Sequence, residues 1–166
     1  MNPRTLLVAA LFVVQFLTLR ALAEDKNGLR LLVSKKTLDR ADGKAGYTKE
    51  IDRTMALKAQ IKNISNQDLP DGKISGVVLI RRWATETGSV DRYSKEIKLD
   101  PMRTAQELEE LVGEYHIGGH MHGSSDRHVD QVVAWKISVE HAGKKTEFLS
   151  NDTFESLNKR ATDAAR

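Results

Sequence analysis

The sequence predicts a mostly β protein that folds as a single antiparallel β-sandwich. Residues 129–140 carry the clearest signal, because apolar side chains alternate with polar ones along this stretch, with Gln131 as the one exception. Similar segments recur along the chain, separated by turn-forming residues about every ten positions. No long helical patterns alternate with these segments, as they would in a protein built on a parallel sheet.

Three predicted strands lie in the first half of the chain. Residues 29–38 begin with alternating apolar side chains, and residues 39–46 form a loop with two glycines. The alternation returns over residues 51–61, which run into a stretch crowded with turn formers. Residues 74–83 differ, because Val77-Val-Leu-Ile80 is apolar on both faces. That run indicates a central strand covered on both sides.

The segment after the next strand, residues 93–99, is ambiguous. Residues 101–112 fit a short helix, with Asp100 as its cap and Pro101 at its first position. Residues 107–113 equally fit a strand followed by a bend. The sequence leaves both interpretations open.

Two strands and a short helix are predicted to complete the fold. The strand over residues 129–140 is followed by a turn and a returning strand over residues 145–149. Residues 151–161 predict a terminal helix with a Ser or Asn cap and an acidic first turn. Phe154 and Leu157 are expected to face inward from this helix.

Residues 1–23 predict a signal peptide that is cleaved. A positively charged start containing Arg4 is followed by an apolar run over residues 6–19 and by the small-x-small site Ala21-Leu-Ala23. The run is shorter than the roughly 20 residues that cross a bilayer, although an uncleaved amino-terminal anchor remains the alternative. We therefore expect an exported protein, periplasmic or secreted, that begins at Glu24 and has no membrane association once the leader is removed.

The composition limits the partners and the chemistry of the mature chain. Without Arg4 and Arg20 of the leader, 24 of the 26 basic residues remain against 23 acidic ones. Such a balance provides no basic surface for nucleic acid or anionic lipid. No cysteine is present, so no disulfide supports the fold, but the remaining 143 residues are enough to bury a sizeable core. We predict one domain, residues 24–166, with its core over residues 29–149.

The strand pattern resembles that of immunoglobulin-like and fibronectin-III-like sandwiches in exported bacterial proteins. Trp83 on a middle strand and Trp135 on a late strand fit this resemblance, which covers roughly residues 29–149. The paired cysteines of antibody-type domains are absent. The resemblance implies a fold and little about function, because sandwiches of this kind host many activities.

A cluster of histidines precedes the clearest strand. Its members are His116, His120, His122 and His128, accompanied by Asp126 and Asp130. His120 and His122 project to the same side if Met121 is extended, and His128 and Asp130 do the same on the solvent-facing side of the strand. Gly123-Ser-Ser125 is flexible enough to fold one pair onto the other.

Two interpretations of this cluster stay open. Three imidazoles and a carboxylate suit zinc, and imidazoles also suit copper(II), so His120, His122, His128 and Asp130 form one predicted metal site, with Asp126 as an alternative carboxylate. Otherwise the stretch is an exposed loop in which His128 pairs with Asp130 or caps the entrance of the strand. Apart from this zinc or copper site, no cofactor is expected.

The motifs that identify enzymes are missing or broken. His120-Met-His-Gly-Ser-Ser-Asp-Arg-His128 is similar to the His-x-His-x-Asp-His motif of metallo-β-lactamases, but two serines precede Asp126 and Arg127 separates it from His128. These insertions break the shared zinc geometry. The chain also lacks a Gly-x-Ser-x-Gly elbow, a phosphate loop and a cysteine nucleophile. We therefore predict no catalytic residues.

The expected function is that of an exported, non-enzymatic binding or accessory domain of the cell envelope. Its partner would be an unidentified protein or envelope component, bound by loops at one end of the sandwich. Arg81-Arg82-Trp83 is either a small cation–π patch on that surface or simply a strand leaving the core. The alternative function is an exported zinc- or copper-binding protein that uses the loop from His116 to Asp130.

Overall fold

The structure is a computed structural model that describes residues 22–84, 88–123 and 126–163. Within these residues the chain forms strands β1 (Leu22–Lys26), β2 (Leu29–Arg40), β3 (Gly43–Ala45), β4 (Thr48–Asn63), β5 (Gly72–Arg81), β6 (Val90–Leu99), β7 (Glu107–His122), β8 (Asp126–Val129), β9 (Gln131–His141), β10 (Lys144–Leu149) and β11 (Thr162–Asp163), and the short helix α1 (Phe154–Asn158). The predicted mostly β fold is confirmed.

The strands form two sheets that pack as a β-sandwich. The first sheet has the order β1-β2-β4-β7-β8, with β3 also paired to β4, and the second has the order β10-β9-β5-β6-β11. The pairings are antiparallel except that β11 runs parallel to β6, where Thr162 and Asp163 lie beside Asp91 and Arg92. This terminal pair departs from the purely antiparallel sandwich that the sequence predicts.

The core lies between the two sheets and is filled by the alternating residues of their strands. Leu31 of β2, Leu57 and Ile61 of β4, and Ile74 and Ile137 from the second sheet are at most 1% exposed. All belong to one hydrophobic cluster that spans both sheets. Each side chain of this kind, when fully buried, stabilises the fold by roughly 1.5–3 kcal/mol.

The central strand predicted from the apolar run of residues 77–80 is confirmed. β5 lies between β9 and β6 in its sheet. Its Val78 faces the main core, whereas Leu79 packs on the opposite face in a second cluster with Phe154 of α1. The short helix therefore covers the outer face of the second sheet, which explains why β5 is apolar on both sides.

The segment over residues 101–112 forms no helix. Residues 101–106 are irregular, and residues from Glu107 onward belong to β7, which pairs along its length with β4. Glu109 of β7 bridges to Lys58 of β4 at 2.6 Å. Pairing with a sixteen-residue neighbouring strand thus outweighs the helical stripe and the cap that favoured a helix.

The predictions for the two ends of the chain have different outcomes. The terminal helix is shorter than expected: α1 follows Thr153, whose side chain makes no capping hydrogen bond, although Phe154 is buried as predicted. Most of the predicted signal peptide lies outside the described residues. Cleavage after Ala23 would leave residues 24–26 of β1, which pair with residues 29–31 of β2.

Candidate functional site

The histidine cluster lies on a β-hairpin, where the sequence predicts a loop. His116, His120 and His122 belong to β7, and His128 belongs to β8. In the register of the two strands His120 lies opposite His128, and His122 lies opposite Asp126. Because side chains alternate along a strand, these positions share the outer face of the first sheet. The inward positions Ile117 of β7 and Val129 of β8 are buried in the core.

Gly119 allows β8 to lie against β7 at this point. Its φ of +144° lies in a region that residues with a side chain rarely adopt. A Cβ atom there would stand 2.2 Å from the carbonyl oxygen of His128. The backbone of the hairpin is thus too close to admit any side chain at this position.

Three aromatic rings meet on the outer face of the hairpin. The ring centroids of Trp83 and His120 lie 4.6 Å apart in an edge-to-face arrangement, those of Trp83 and His128 are 5.4 Å apart, and those of the two histidines are 5.1 Å apart. The Trp83 side chain is 39% exposed. We call these three residues the Trp83 patch. Their ring separations fall in the range of favourable aromatic pairs.

The remaining histidines of the cluster have individual partners. His116 Nε2 lies 2.6 Å from Asp52 Oδ1, and His122 Nδ1 lies 3.1 Å from the Thr48 hydroxyl. Within the patch, His128 Nε2 lies 2.6 Å from Asp126 Oδ1, so His128 pairs with Asp126 and not with Asp130. The alternative that pairs His128 with Asp130 is wrong.

Asp130 does not face solvent, contrary to the alternation of the sequence. It is 8% exposed and lies where the chain leaves β8 in the first sheet and enters β9 in the second. Its carboxylate accepts hydrogen bonds from the backbone N–H groups of Gly118 at 3.0 Å and Trp83 at 3.1 Å. It also accepts one from the Arg82 guanidinium. Both oxygens of Asp130 are therefore bonded within the fold.

Arg82 connects the elements around this crossing. Its guanidinium donates to Asp91 at 2.6 Å, to the His116 carbonyl at 3.2 Å, and to Asp130 and the Tyr93 hydroxyl. Burial by itself would lower the pKa of Arg82, but the hydrogen bonds to the two carboxylates outweigh it and the pKa is raised. The group stays charged and pairs with Asp130, which also accepts the backbone N–H of Trp83.

The structure separates the four predicted metal ligands. His120 and His128 face each other, His122 has its own contact with Thr48, and Asp130 is bound to Arg82. Over the described ranges, no three histidine or acidic side chains come close enough to hold a metal ion together. Of the four predicted ligands, His120 and His128 are the two whose rings contact each other, with centroids 5.1 Å apart.

Trp83 belongs to this site although the sequence patterns do not predict it beside the histidines. It is separated from the histidines by more than thirty residues of intervening chain, so no local spacing connects them. The predicted cation–π contact in this segment forms instead between Arg82 and Tyr93, with the guanidinium carbon 5.7 Å from the ring centroid. Trp83 contacts the hairpin because it closely follows β5, which ends beside β7.

Comparisons with known proteins leave the family open. No protein-family model matches the chain, and no curated protein matches it in sequence. A crystal structure of a protein from Akkermansia muciniphila superposes with a TM-score of 0.43 and 8% identity, covering 86% of this chain and 84% of the other. Among the described residues there is no helix with the length and apolar character that a membrane span requires.

Proposed function

We propose that this protein is an exported, non-enzymatic binding domain that recognises a protein of the cell envelope through the Trp83 patch. The observation that carries the proposal is the half-exposed Trp83 ring held between His120 and His128. Tryptophans of this kind dominate binding energy at protein interfaces, where they fill pockets on the partner. The immunoglobulin-like character of the sandwich, the export through residues 1–23 and the envelope location are parts of the same proposal.

The contacts that position Trp83 support a role in recognition. The backbone N–H of Trp83 donates to Asp130, and the Trp83 ring contacts two imidazoles that are themselves placed by the β7–β8 hairpin. A side chain that is already ordered loses little conformational entropy when a partner binds it. An exposed aromatic ring that is held in place in this way favours binding over a purely structural role.

The experiment compares variants of two exposed aromatic residues. Trp83→Ala removes the centre of the patch, whereas Tyr47→Ala removes a side chain that is 92% exposed on the turn between β3 and β4. The partner is first trapped by cross-linking in cells that make the protein, and is then purified. Its affinity for each variant is measured by calorimetry.

We expect Trp83→Ala to weaken binding at least about thirtyfold, the effect of losing a residue worth roughly 2 kcal/mol or more. Tyr47→Ala is expected to leave the affinity unchanged. A partner that binds the Trp83→Ala variant as well as the original protein would contradict the proposed role of the patch.

A second candidate function is binding of zinc or copper(II) by His120 and His128. The separation of 5.1 Å between their ring centroids favours it, because facing imidazoles on adjacent strands can share one ion. Calorimetric titration of the protein with each ion tests this function beside the His120→Ala variant. The His116→Ala variant, which removes an imidazole paired with Asp52, is the matched control.

A further inference from the structure

β6 forms the edge of the second sheet over most of its length. On one side it pairs with β5 along the whole strand. On the other side β11 covers only Asp91 and Arg92. Among the described residues, no strand pairs with the outer side of residues 93–99. The backbone N–H and C=O groups along this edge are therefore available to an added strand.

The side chains along this edge are open to solvent. Ser94, Lys95 and Glu96 are three consecutive exposed residues, although side chains alternate between the two faces of a strand. Ile97 is half-buried and packs against the main core. The edge also borders a groove of about 820 Å³, whose other wall contains residues 114–116 of β7. Both faces of β6 are thus accessible beside its unpaired backbone.

The outer face of the second sheet carries a row of charges that ends at this edge. Glu140 of β9 lies 3.7 Å from Lys73 of β5, and Lys73 lies 3.5 Å from Glu96 of β6. Lys98 lies directly opposite Lys73 in the register of β5 and β6, so two like charges are neighbours. Lys98 has no ion pair with any described residue. An acidic partner for Lys98 would have to come from beyond the edge.

The same edge of a second copy supplies this acid. Residues directly opposite each other in an antiparallel pair point to the same face, so a two-fold axis centres two identical strands on one residue. Centring on Ile97 places Glu96 of each copy opposite Lys98 of the other on the outer face. The ion pair forms twice by symmetry, and Ile97 meets its own counterpart on the inner face.

Like charges disfavour the registers next to this one. Centring the pair on Lys95, on Glu96 or on Lys98 would place each of these charges directly opposite itself in the other copy. Like charges that face each other across an antiparallel pair are destabilising. Lysines on an edge strand also discourage pairing with strands that offer no acid at the right position. The charges therefore favour the register centred on Ile97.

The ends of the open edge exclude two further registers. Centring on Ser94 would require the outer side of Arg92, which β11 already occupies. Centring on Leu99 would bring Pro101 into the added strand, and proline has no N–H group to donate. The position of β11 and the end of β6 thus limit the pairing to the middle of residues 93–99.

We propose that the protein forms a two-fold dimer in which the β6 edges of two copies pair antiparallel about Ile97. Residues 95–99 of one copy lie opposite residues 99–95 of the other, and the two five-stranded sheets become one continuous sheet. Two ion pairs between Glu96 and Lys98 cross the dimer on the outer face. The proposal does not depend on the Trp83 patch, because Trp83 follows the other end of β5, beside the start of β6.

Charge reversal tests the proposed register, with sedimentation velocity of the purified protein over a range of concentrations as the measurement. Glu96→Lys and Lys98→Glu each place like charges opposite one another at both symmetric positions. Each variant is expected to weaken the dimer at least about tenfold. The double variant Glu96→Lys/Lys98→Glu restores both ion pairs in reverse and should dimerise like the original protein. Asp152→Lys, which makes the same charge change as Glu96→Lys in the exposed turn before α1, should leave dimerisation unchanged.

Mixing the two single variants gives a second test. The Glu96→Lys protein presents two lysines at this edge and the Lys98→Glu protein presents two acids, so the mixture should form a heterodimer although each variant alone dimerises weakly. Circular dichroism of each variant confirms that the fold is kept. An original protein that stays monomeric up to about 1 mM would overturn the proposal. A dimer that both single variants leave intact, or that the double variant fails to restore, would also overturn it.

Discussion

Arg82 and Asp130, 48 residues apart in sequence, form an ion pair that joins the end of β5 to the crossing between the two sheets. The Arg82 side chain is 19% exposed and that of Asp130 is 6% exposed. The same carboxylate accepts the backbone N–H groups of Gly118 and Trp83. One buried side chain thus fixes the position of β7, the end of β5 and the start of β9 together.

Replacement of Asp130 by alanine is expected to destabilise the fold by about 2–4 kcal/mol. The variant leaves two backbone donors and part of a guanidinium group without an acceptor in a buried position. Arg82 keeps its bond to Asp91, which limits the loss. Urea denaturation measures the change. The control is Asp126→Ala, which removes the exposed pair between Asp126 and His128 and costs no more than about 1 kcal/mol. Equal losses of stability in the two variants would contradict the proposed role of Asp130.

Replacement of Gly119 by alanine is expected to cost about 3 kcal/mol or more. The added Cβ would meet the carbonyl of His128 at 2.2 Å, and the backbone has a positive φ. Gly123 in the same hairpin also has a positive φ but has open space around it, so Gly123→Ala should cost only about 1–2 kcal/mol. Thermal unfolding of both variants gives the comparison, which fails if Gly123→Ala is the more damaging change.

Tyr115 is expected to titrate at a higher pH than an ordinary tyrosine. Burial raises the pKa of Tyr115 to about 12, from an ordinary value of 10.0. Because the folded pKa lies above the unfolded one, the associated stability is fully present below pH 10 and is lost as the pH rises towards 12. Ultraviolet absorbance of tyrosinate during a base titration measures this, and the late component should vanish in Tyr115→Phe. A Tyr115→Phe titration curve that keeps the late component would assign it to another residue.

Asp42 is expected to add to the loss of stability in acid. Hydrogen bonds from Arg53, and then from Arg40, hold the pKa of the Asp42 carboxyl well below its ordinary 3.8, against the opposing effect of desolvation. The folded pKa is the lower one, so this stability is present above about pH 4 and is lost as the pH falls below it. The free energy of unfolding should therefore fall less steeply with decreasing pH in the Asp42→Asn variant than in the original protein. If both proteins lose the same free energy of unfolding between about pH 4 and lower pH, the Asp42 carboxyl does not contribute to the loss of stability in acid.

Export of the chain is expected to end with cleavage between Ala23 and Glu24. The prediction depends on the small residues at positions 21 and 23 of the leader. Intact-mass measurement of the exported protein identifies its first residue. Ala23→Glu should block cleavage, whereas Leu22→Ala, at the permissive position between the two alanines, should not. A membrane-bound product that keeps residues 1–23 would support the uncleaved-anchor alternative.

Sequence patterns were sufficient to predict most of the strands, because alternation is a local consequence of burying one face of a sheet. The doubly apolar run of residues 77–80 likewise predicted the central position of β5. The segment over residues 101–112 remained ambiguous because a helical stripe and a strand are both compatible with its side chains. Pairing with β4 decided the outcome in favour of a strand.

The candidate site was predicted in part. The histidines were visible as a cluster, and the pairing of His120 with His128 follows from folding the chain back at Gly123. Trp83 was not expected beside them, because only the end of β5 carries it there. Asp130 was expected to face solvent, since alternation along one continuous strand predicts it, but the strand switches sheets at this residue.

The sequence by itself determined that the chain forms a mostly β fold with a large apolar core and a histidine-rich segment. Those properties depend on neighbouring residues and on the period of a strand. The tertiary structure decided that the histidines lie on a hairpin, that Trp83 contacts two of them, and that Asp130 is buried against Arg82. Each of these depends on the register between distant strands, which local side-chain patterns do not specify.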